Sequence, residues 1–287
     1  MKHISSYPIG ASTCGALPTE DLFVAYREAG ISYMEVSCSV AETSALDLPA
    51  VMGLAKTYGV TVASLHLPFS QEMDLSLTDP ATRSAVVAYQ SEQMKRGAAV
   101  GIPMFVIHPS SEPIEDGERA ARMACAKESL AILAELAESL GVTLAVEDLP
   151  RTCLGNCSDD MVELLSAHPS LGSCLDTNHL LGEDTAAYVR RVGNRIVTTH
   201  VSDYDFINER HWLPGEGKQD FFAILEALGE VGYRGLWLYE LGLKTPHTIT
   251  RPRELTYADL VENANTLFAG ESPAPFGTPI PNLGMWG

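Results

Sequence analysis

Residues 143–200 hold three short runs that decide the fold: Thr143-Leu-Ala-Val-Glu147, Gly172-Ser-Cys-Leu-Asp176 and Ile196-Val-Thr-Thr-His200. Each is mostly apolar or β-branched, lacks strict polar alternation, and ends on an ionisable side chain. A strand that is apolar on both faces belongs in a parallel sheet covered on both sides. Five further runs read the same way: Ile4–Gly10, Tyr33–Ser37, Thr61–His66, Met104–His108 and Leu236–Glu240.

Between these runs lie amphipathic segments expected to be helices: Thr19–Ala29, Leu46–Tyr58, Pro80–Val100, Glu118–Leu140, Ser158–His168, Asp184–Val192, Asp220–Val231 and Leu255–Phe268. Gly30, Gly59, Gly101, Gly141, Gly193 and Gly232 follow them where a left-handed cap is wanted. Thr19, Asp47, Ser158 and Asp184 precede or open helices, as N-caps do. Eight β-then-α units in 287 residues predict a single-domain α/β (β/α)8 TIM barrel over residues 1–270. Residues 271–287 form a Pro/Gly-rich tail without periodicity, expected to wrap the barrel or a neighbouring subunit in a homo-oligomer.

Apolar residues make up 46% of the chain, enough to fill such a core. The formal net charge of −18 opposes a phosphate backbone, which argues against nucleic acid as a partner. No run of about 18 apolar residues exists to span a bilayer, and the first ten residues do not read as a signal peptide. The six cysteines are scattered, which fits free thiols in a cytoplasmic protein.

The last six strands end on His66, His108, Glu147, Asp176, His200 and Glu240. In a barrel those ends ring one mouth, the face where barrel enzymes place their active sites. One strand-end histidine is more often a satisfied polar residue than a ligand. Six in succession would repel or sit desolvated unless a divalent cation neutralised them. Mixed nitrogen and oxygen ligation suits Mn, Zn, Co, Fe or Mg. Nearby loops add His179 in Asp176-Thr-Asn-His179, and Glu209 and His211 before Trp212-Leu-Pro-Gly-Glu-Gly217, as further candidate ligands. Phe69 and Trp212 could form an apolar wall at the mouth, although ordinary core packing is an equal expectation. Arg151, Arg210, Lys218 and Lys244 flank the mouth and could bind a phosphate or carboxylate, with solvated surface charge the commoner fate.

The motifs His-Leu-Pro-Phe69, His-Pro-Ser-Ser111, Glu-Asp-Leu-Pro-Arg-Thr-Cys-Leu-Gly-Asn156, Asp-Thr-Asn-His179, His-Val-Ser-Asp203 and Glu-Arg-His-Trp-Leu-Pro-Gly-Glu-Gly217 resemble the xylose isomerase-like barrel superfamily. That superfamily includes sugar phosphate isomerases and epimerases, ketose 3-epimerases, inosose dehydratases and endonuclease IV. The resemblance to the ketose epimerases implies one metal held by Glu147, Asp176, His200 and Glu240, with His179 binding a carbohydrate substrate. The arginine those epimerases carry after the strand-seven histidine has no match, since Phe206 stands near that place. The resemblance to endonuclease IV implies a multi-zinc set of His66, His108, Glu147, Asp176, His179, His200, Glu209, His211 and Glu240.

The expected activity is metal-dependent sugar, sugar-phosphate or cyclitol isomerisation or epimerisation, with Glu147 and Glu240 as the acid/base pair and His179, Phe69, Trp212, Arg151 and Lys218 around the substrate. A dehydratase, a phosphodiesterase acting on abasic DNA and a non-enzymatic binding barrel stand as alternatives.

Overall fold

The computed structural model describes residues 5–285. Eight strands pair in parallel: β1 (Ile9–Ser12), β2 (Tyr33–Ser37), β3 (Thr61–His66), β4 (Met104–Ile107), β5 (Thr143–Glu147), β6 (Gly172–Asp176), β7 (Ile196–His200) and β8 (Trp237–Tyr239). Their order runs β7-β6-β5-β4-β3-β2-β1-β8. The ends of that order meet where Val201 N–H donates to Leu238 O at 2.8 Å and Glu240 N–H donates to Val201 O at 3.2 Å. The sheet is therefore a nearly closed cylinder, a (β/α)8 barrel.

Around it lie α1 (Glu20–Ala29), α2 (Val40–Ala45), α3 (Leu48–Tyr58), α4 (Pro80–Ala99), α5 (Arg119–Leu140), α6 (Ser158–Leu165), α7 (Thr185–Val192), α8 (Phe221–Glu230) and α9 (Tyr257–Phe268). Their inner faces bury Phe23, Tyr26, Leu130, Leu133, Leu164, Tyr188, Leu228 and Leu260. Burying each such side chain contributes roughly 1.5–3 kcal/mol relative to leaving it exposed. Gly59 and Gly141 end α3 and α5 in left-handed conformations, at φ 69° in both, which releases the chain toward the next strand.

Three differences from the sequence expectations have physical causes. The first strand begins at Ile9 rather than at Ile4, which lies outside the described residues. Pro8 has no N–H to give a ladder, and β1–β8 pairing starts just after it, with Trp237 N–H donating to Pro8 O at 2.9 Å. An unexpected short helix, α2, precedes the expected Leu46–Tyr58 segment, which forms α3. Ser39 accepts from Glu42 N–H while the Glu42 carboxylate accepts from Ser39 N–H, a capping box that starts α2. His108 and Glu240 fall one residue beyond β4 and β8, on the rim rather than in the ladder.

The tail packs on the barrel's own loops. Its strand β10 (Thr278–Pro279) pairs antiparallel with β9 (Ile249–Thr250). Arg210 donates to Gly284 O at 2.7 Å, and Asn208 donates to Met285 O. Among the described residues, no helix is long and apolar enough to cross a membrane.

Candidate metal centre and active site

The strands end around one cavity of about 830 Å³. His66, His108, Glu147, His179, Glu209, His211 and Glu240 line it, together with Phe69, Arg151, Glu112, Cys14 and Cys38. Asp176 and His200 have 0% exposure and lie beneath this lining.

Glu147 is the hub. Its Oε2 lies 2.9 Å from His66 Nε2 and 3.1 Å from His108 Nε2, and its Oε1 lies 3.0 Å from His200 Nδ1. His200 Nδ1 is also 3.2 Å from Glu240 Oε2. One donor atom from each of Glu147, Asp176, His200 and Glu240 lies within 4.8 Å of all the others. Three further sets meet the same criterion: His66–His200–Glu240, His66–His108–Glu147 and His179–Glu209–His211. In the last, His179 Nε2 is 3.0 Å from Glu209 Oε1.

The electrostatics follow from burial opposed by pairing. Burial would raise Glu147, but His200 and His108 outweigh it and hold the carboxyl well below its ordinary range. Burial likewise opposes ionisation of Glu240, yet His200 draws it down to about 2. Burial holds Asp176 well above the usual carboxylate range, with His179 pulling the other way. Burial would lower His66, but its bond to Glu147 lifts it to about 9. Imidazoles paired with these carboxylates offset their charge, and a divalent cation does the same when imidazoles and carboxylates bind it deprotonated.

The donor set fits such an ion. Asp176 Oδ1 accepts from Asn178 N–H at 2.7 Å, whereas its buried Oδ2 has no hydrogen bond and meets only His179 Nε2, at 3.4 Å. A buried carboxylate oxygen without a hydrogen bond is costly, and this one belongs to one of the four clustered donors. Neighbouring groups aim the ligands. Asp148 Oδ1 accepts from Asp176 N–H at 2.7 Å, and the Asp148 carbonyl lies 2.7 Å from His179 Nδ1. The Leu67 carbonyl lies 2.9 Å from His66 Nδ1.

A model of the xylose isomerase-like TIM barrel family matches residues 23–264. The chain belongs to that family. It is 27% identical over 221 residues to the ketose 3-epimerase of Arthrobacter globiformis, spanning 75% of this chain and 74% of that one. It is 30% identical over 120 residues to the fructoselysine 3-epimerase of Escherichia coli O157:H7, spanning 40% of this chain and 44% of that one. Among solved structures, a D-tagatose 3-epimerase-like protein superposes with a TM-score of 0.78 at 20% identity, covering 92% of this barrel and 97% of the other.

Within this family barrel, two residues expected around the substrate stand away from the cavity. The Trp212 ring is 1% exposed and its Nε1–H donates to Thr248 Oγ1 at 2.9 Å, so it packs inside the rim loop instead of walling the pocket. Lys218 is exposed and absent from the lining, its backbone N–H bonded to Tyr204 O at 2.8 Å. Phe69 does line the cavity, stacked on His108 with ring centroids 4.1 Å apart. Arg151 lines it too, but its guanidinium is engaged by Glu112, Asn208 and Glu209.

Sequence reasoning missed Glu35, which contributes no ligand at a strand end. It stands in the middle of β2, completely buried, with Oε1 2.9 Å from His200 Nε2. A carboxylate inside the apolar run Tyr33–Ser37 was the available signal.

Proposed function

We propose that this protein is a divalent-metal-dependent sugar epimerase or isomerase acting beside a carbonyl. One observation carries the reading: Glu147, Asp176, His200 and Glu240 bring donor atoms within 4.8 Å of one another at the floor of a cavity of sugar-compatible size. The names of the relatives, both 3-epimerases, support it. Mn, Zn, Co, Fe and Mg all suit mixed imidazole and carboxylate ligation.

Bound there, the cation would polarise the carbonyl and adjacent hydroxyl of an α-hydroxy ketone and acidify the C–H of the hydroxyl-bearing carbon. The chain's own groups do the rest. Glu240 is the more accessible carboxylate, at 16% side-chain exposure against 1% for Glu147. We assign Glu240 to remove the proton and Glu147 to return one from the opposite side. Return to the opposite face of the same carbon inverts it, and return to the neighbouring carbon isomerises the sugar. His179 supplies a hydrogen bond to a substrate hydroxyl, and Phe69 covers the apolar face and excludes water. Arg151 is placed to bind at the opening only by exchanging a carboxylate partner.

A second reading, multi-metal phosphodiester hydrolysis, is favoured by the flanking sets His66–His108–Glu147 and His179–Glu209–His211. The formal charge of −18 weighs against a nucleic acid substrate. Both readings are tested by incubating manganese-loaded protein in D2O with a panel of ketoses, inososes and an abasic oligonucleotide. The epimerase reading requires a new diastereomer carrying one deuteron at the inverted carbon. Oligonucleotide cleavage at catalytic rates, with every sugar untouched, overturns it.

A further inference from the structure

Glu35 is a fully buried carboxylate that the proposed proton transfers do not use. Such a group is expensive to bury unless partners compensate it. It has two, on opposite sides of the barrel interior. Ser64 on β3 donates its hydroxyl to Glu35 Oε2 at 2.7 Å. Glu35 Oε1 lies 2.9 Å from Nε2 of His200 on β7. The contact is short but off the line of an ideal hydrogen bond, since neither atom meets hydrogen-bond geometry.

The local register builds this arrangement. Pairing between β2 and β3 shifts between Met34 and Glu35, so that Met34 faces Val62 and Glu35 faces Ser64. Irregularities of this kind re-aim side chains near active sites. The opposite ring nitrogen of His200, Nδ1, points at Glu147 Oε1 (3.0 Å) and Glu240 Oε2 (3.2 Å). His200 therefore spans from a carboxylate in the barrel core to the carboxylates at its mouth.

We propose that Glu35 is a positioning residue that holds the Nε2 proton of His200, fixes the ring plane, and leaves the Nδ1 lone pair for a cation shared with Glu147, Asp176 and Glu240. A neutral imidazole carries its proton on one nitrogen only, and the partner of that nitrogen decides which. Ser64 aims Glu35, and Glu35 aims His200. This inference rests on the metal-site reading above and goes beyond it, because Glu35 touches neither substrate nor cation.

The test is titration of cobalt(II) into the wild type, Glu35→Met, Glu35→Gln and Ser64→Ala, followed by calorimetry and by the visible cobalt absorption band. Methionine nearly preserves volume and cannot accept the proton. Glutamine keeps an accepting oxygen without charge. Glu35→Met is expected to raise the cobalt dissociation constant about 10–100-fold, the usual cost of losing such a partner, and to shift the band. Glu35→Gln is expected to fall between it and the wild type, with Ser64→Ala losing least. Melting temperatures of the metal-free variants should not follow that order, which separates positioning from a merely structural role. A folded Glu35→Met with wild-type affinity and spectrum overturns the proposal. Should Glu35→Met not fold, unchanged affinity and spectrum in Glu35→Gln overturn it instead. A wild type that takes up no cobalt overturns the metal reading and this inference together, whereas a binding wild type with unaffected variants overturns this inference alone.

Discussion

Asp176 and His200 stand directly opposite one another as the last residues of β6 and β7, both with no exposed surface. That pairing depends on an irregularity, because the register shifts between Ser173 and Cys174 and Cys174 pairs with Thr198. Unshifted, Asp176 would face Thr199. A slip of one residue also turns every side chain of a strand to its other face.

Gly172 opens β6 at the approach to that shift. A β-carbon added there would meet Val197 Cγ2 at 2.5 Å and Cγ1 at 2.9 Å. Val197 is β-branched and cannot swing clear. Gly172→Ala is expected to cost about 1–3 kcal/mol by overpacking, read by chemical denaturation, and to weaken metal binding through the displaced Asp176–His200 pair. Wild-type values in both measurements would show that the strands yield freely.

The rim loop depends on Asp203. Its Oδ1 accepts from the N–H groups of Tyr204 and Gln219, and its Oδ2 from those of Gly215 and Gly217, at 2.8–3.1 Å. These bonds close the loop that carries Glu209 and His211. Asp203→Asn removes the charge and half of the acceptor capacity. Bonds to charged groups contribute about 1.5–3 kcal/mol each, so a stability loss of about that size is expected, with new proteolytic cleavage inside residues 204–219. A variant as protease-resistant as the wild type would count against the staple.

Glu240→Gln removes the accessible carboxylate and keeps its shape. Turnover on the active sugar should fall about 10²–10⁴-fold, the range for loss of a general acid or base, while the melting temperature stays within a degree or two of the wild type's. Full activity in this variant would end its assignment as base.

Clustered carboxylates repel, so a cation that binds only the folded barrel stabilises it by mass action. Manganese(II) at 100 times its dissociation constant is expected to add about 2.7 kcal/mol, seen as a rise in melting temperature that a chelator reverses. No rise at any manganese concentration would argue against the site.

Asp259 provides a pH test far from the mouth. It caps α9 with Thr256 and pairs with Arg253, whose Nη1 lies 2.7 Å away. Its bond to Arg253 and the Thr256 hydroxyl and N–H hold the carboxyl below its ordinary range, against a smaller opposing effect of burial. A folded-state value below the unfolded one means the contribution is whole above about pH 4, then lost as pH falls toward the folded value. Asp259→Asn should therefore be less stable than the wild type at pH 7, with the gap narrowing below about pH 4. A gap independent of pH would assign the effect to packing.

The metal-competent strand ends could be read in advance because the rule behind them is local: a parallel strand is apolar along its length, and its last residue faces the mouth. Glu147, Asp176 and His200 each close their runs in that way. The direction of Trp212 could not be read from the sequence, for the opposite reason. An aromatic in a Gly/Pro loop reads the same whether it turns outward or inward, and only its bond to Thr248, 36 residues away, settles the direction. Glu35 was visible as a charge in an apolar strand, but its meaning depends on His200, which is remote in sequence and three strands away around the barrel.

Taken alone, the order of residues determined the alternation of strands and helices, the barrel, and which strand termini carry imidazole or carboxylate. Those properties come from periodicity and side-chain chemistry over a few neighbours. Register was decided only in three dimensions: the shifts at Met34/Glu35 and Ser173/Cys174 set which buried charges meet, and inter-strand packing fixes them. Hydrogen-bond pairing between strands couples residues without regard to their separation along the chain, so no local pattern encodes it.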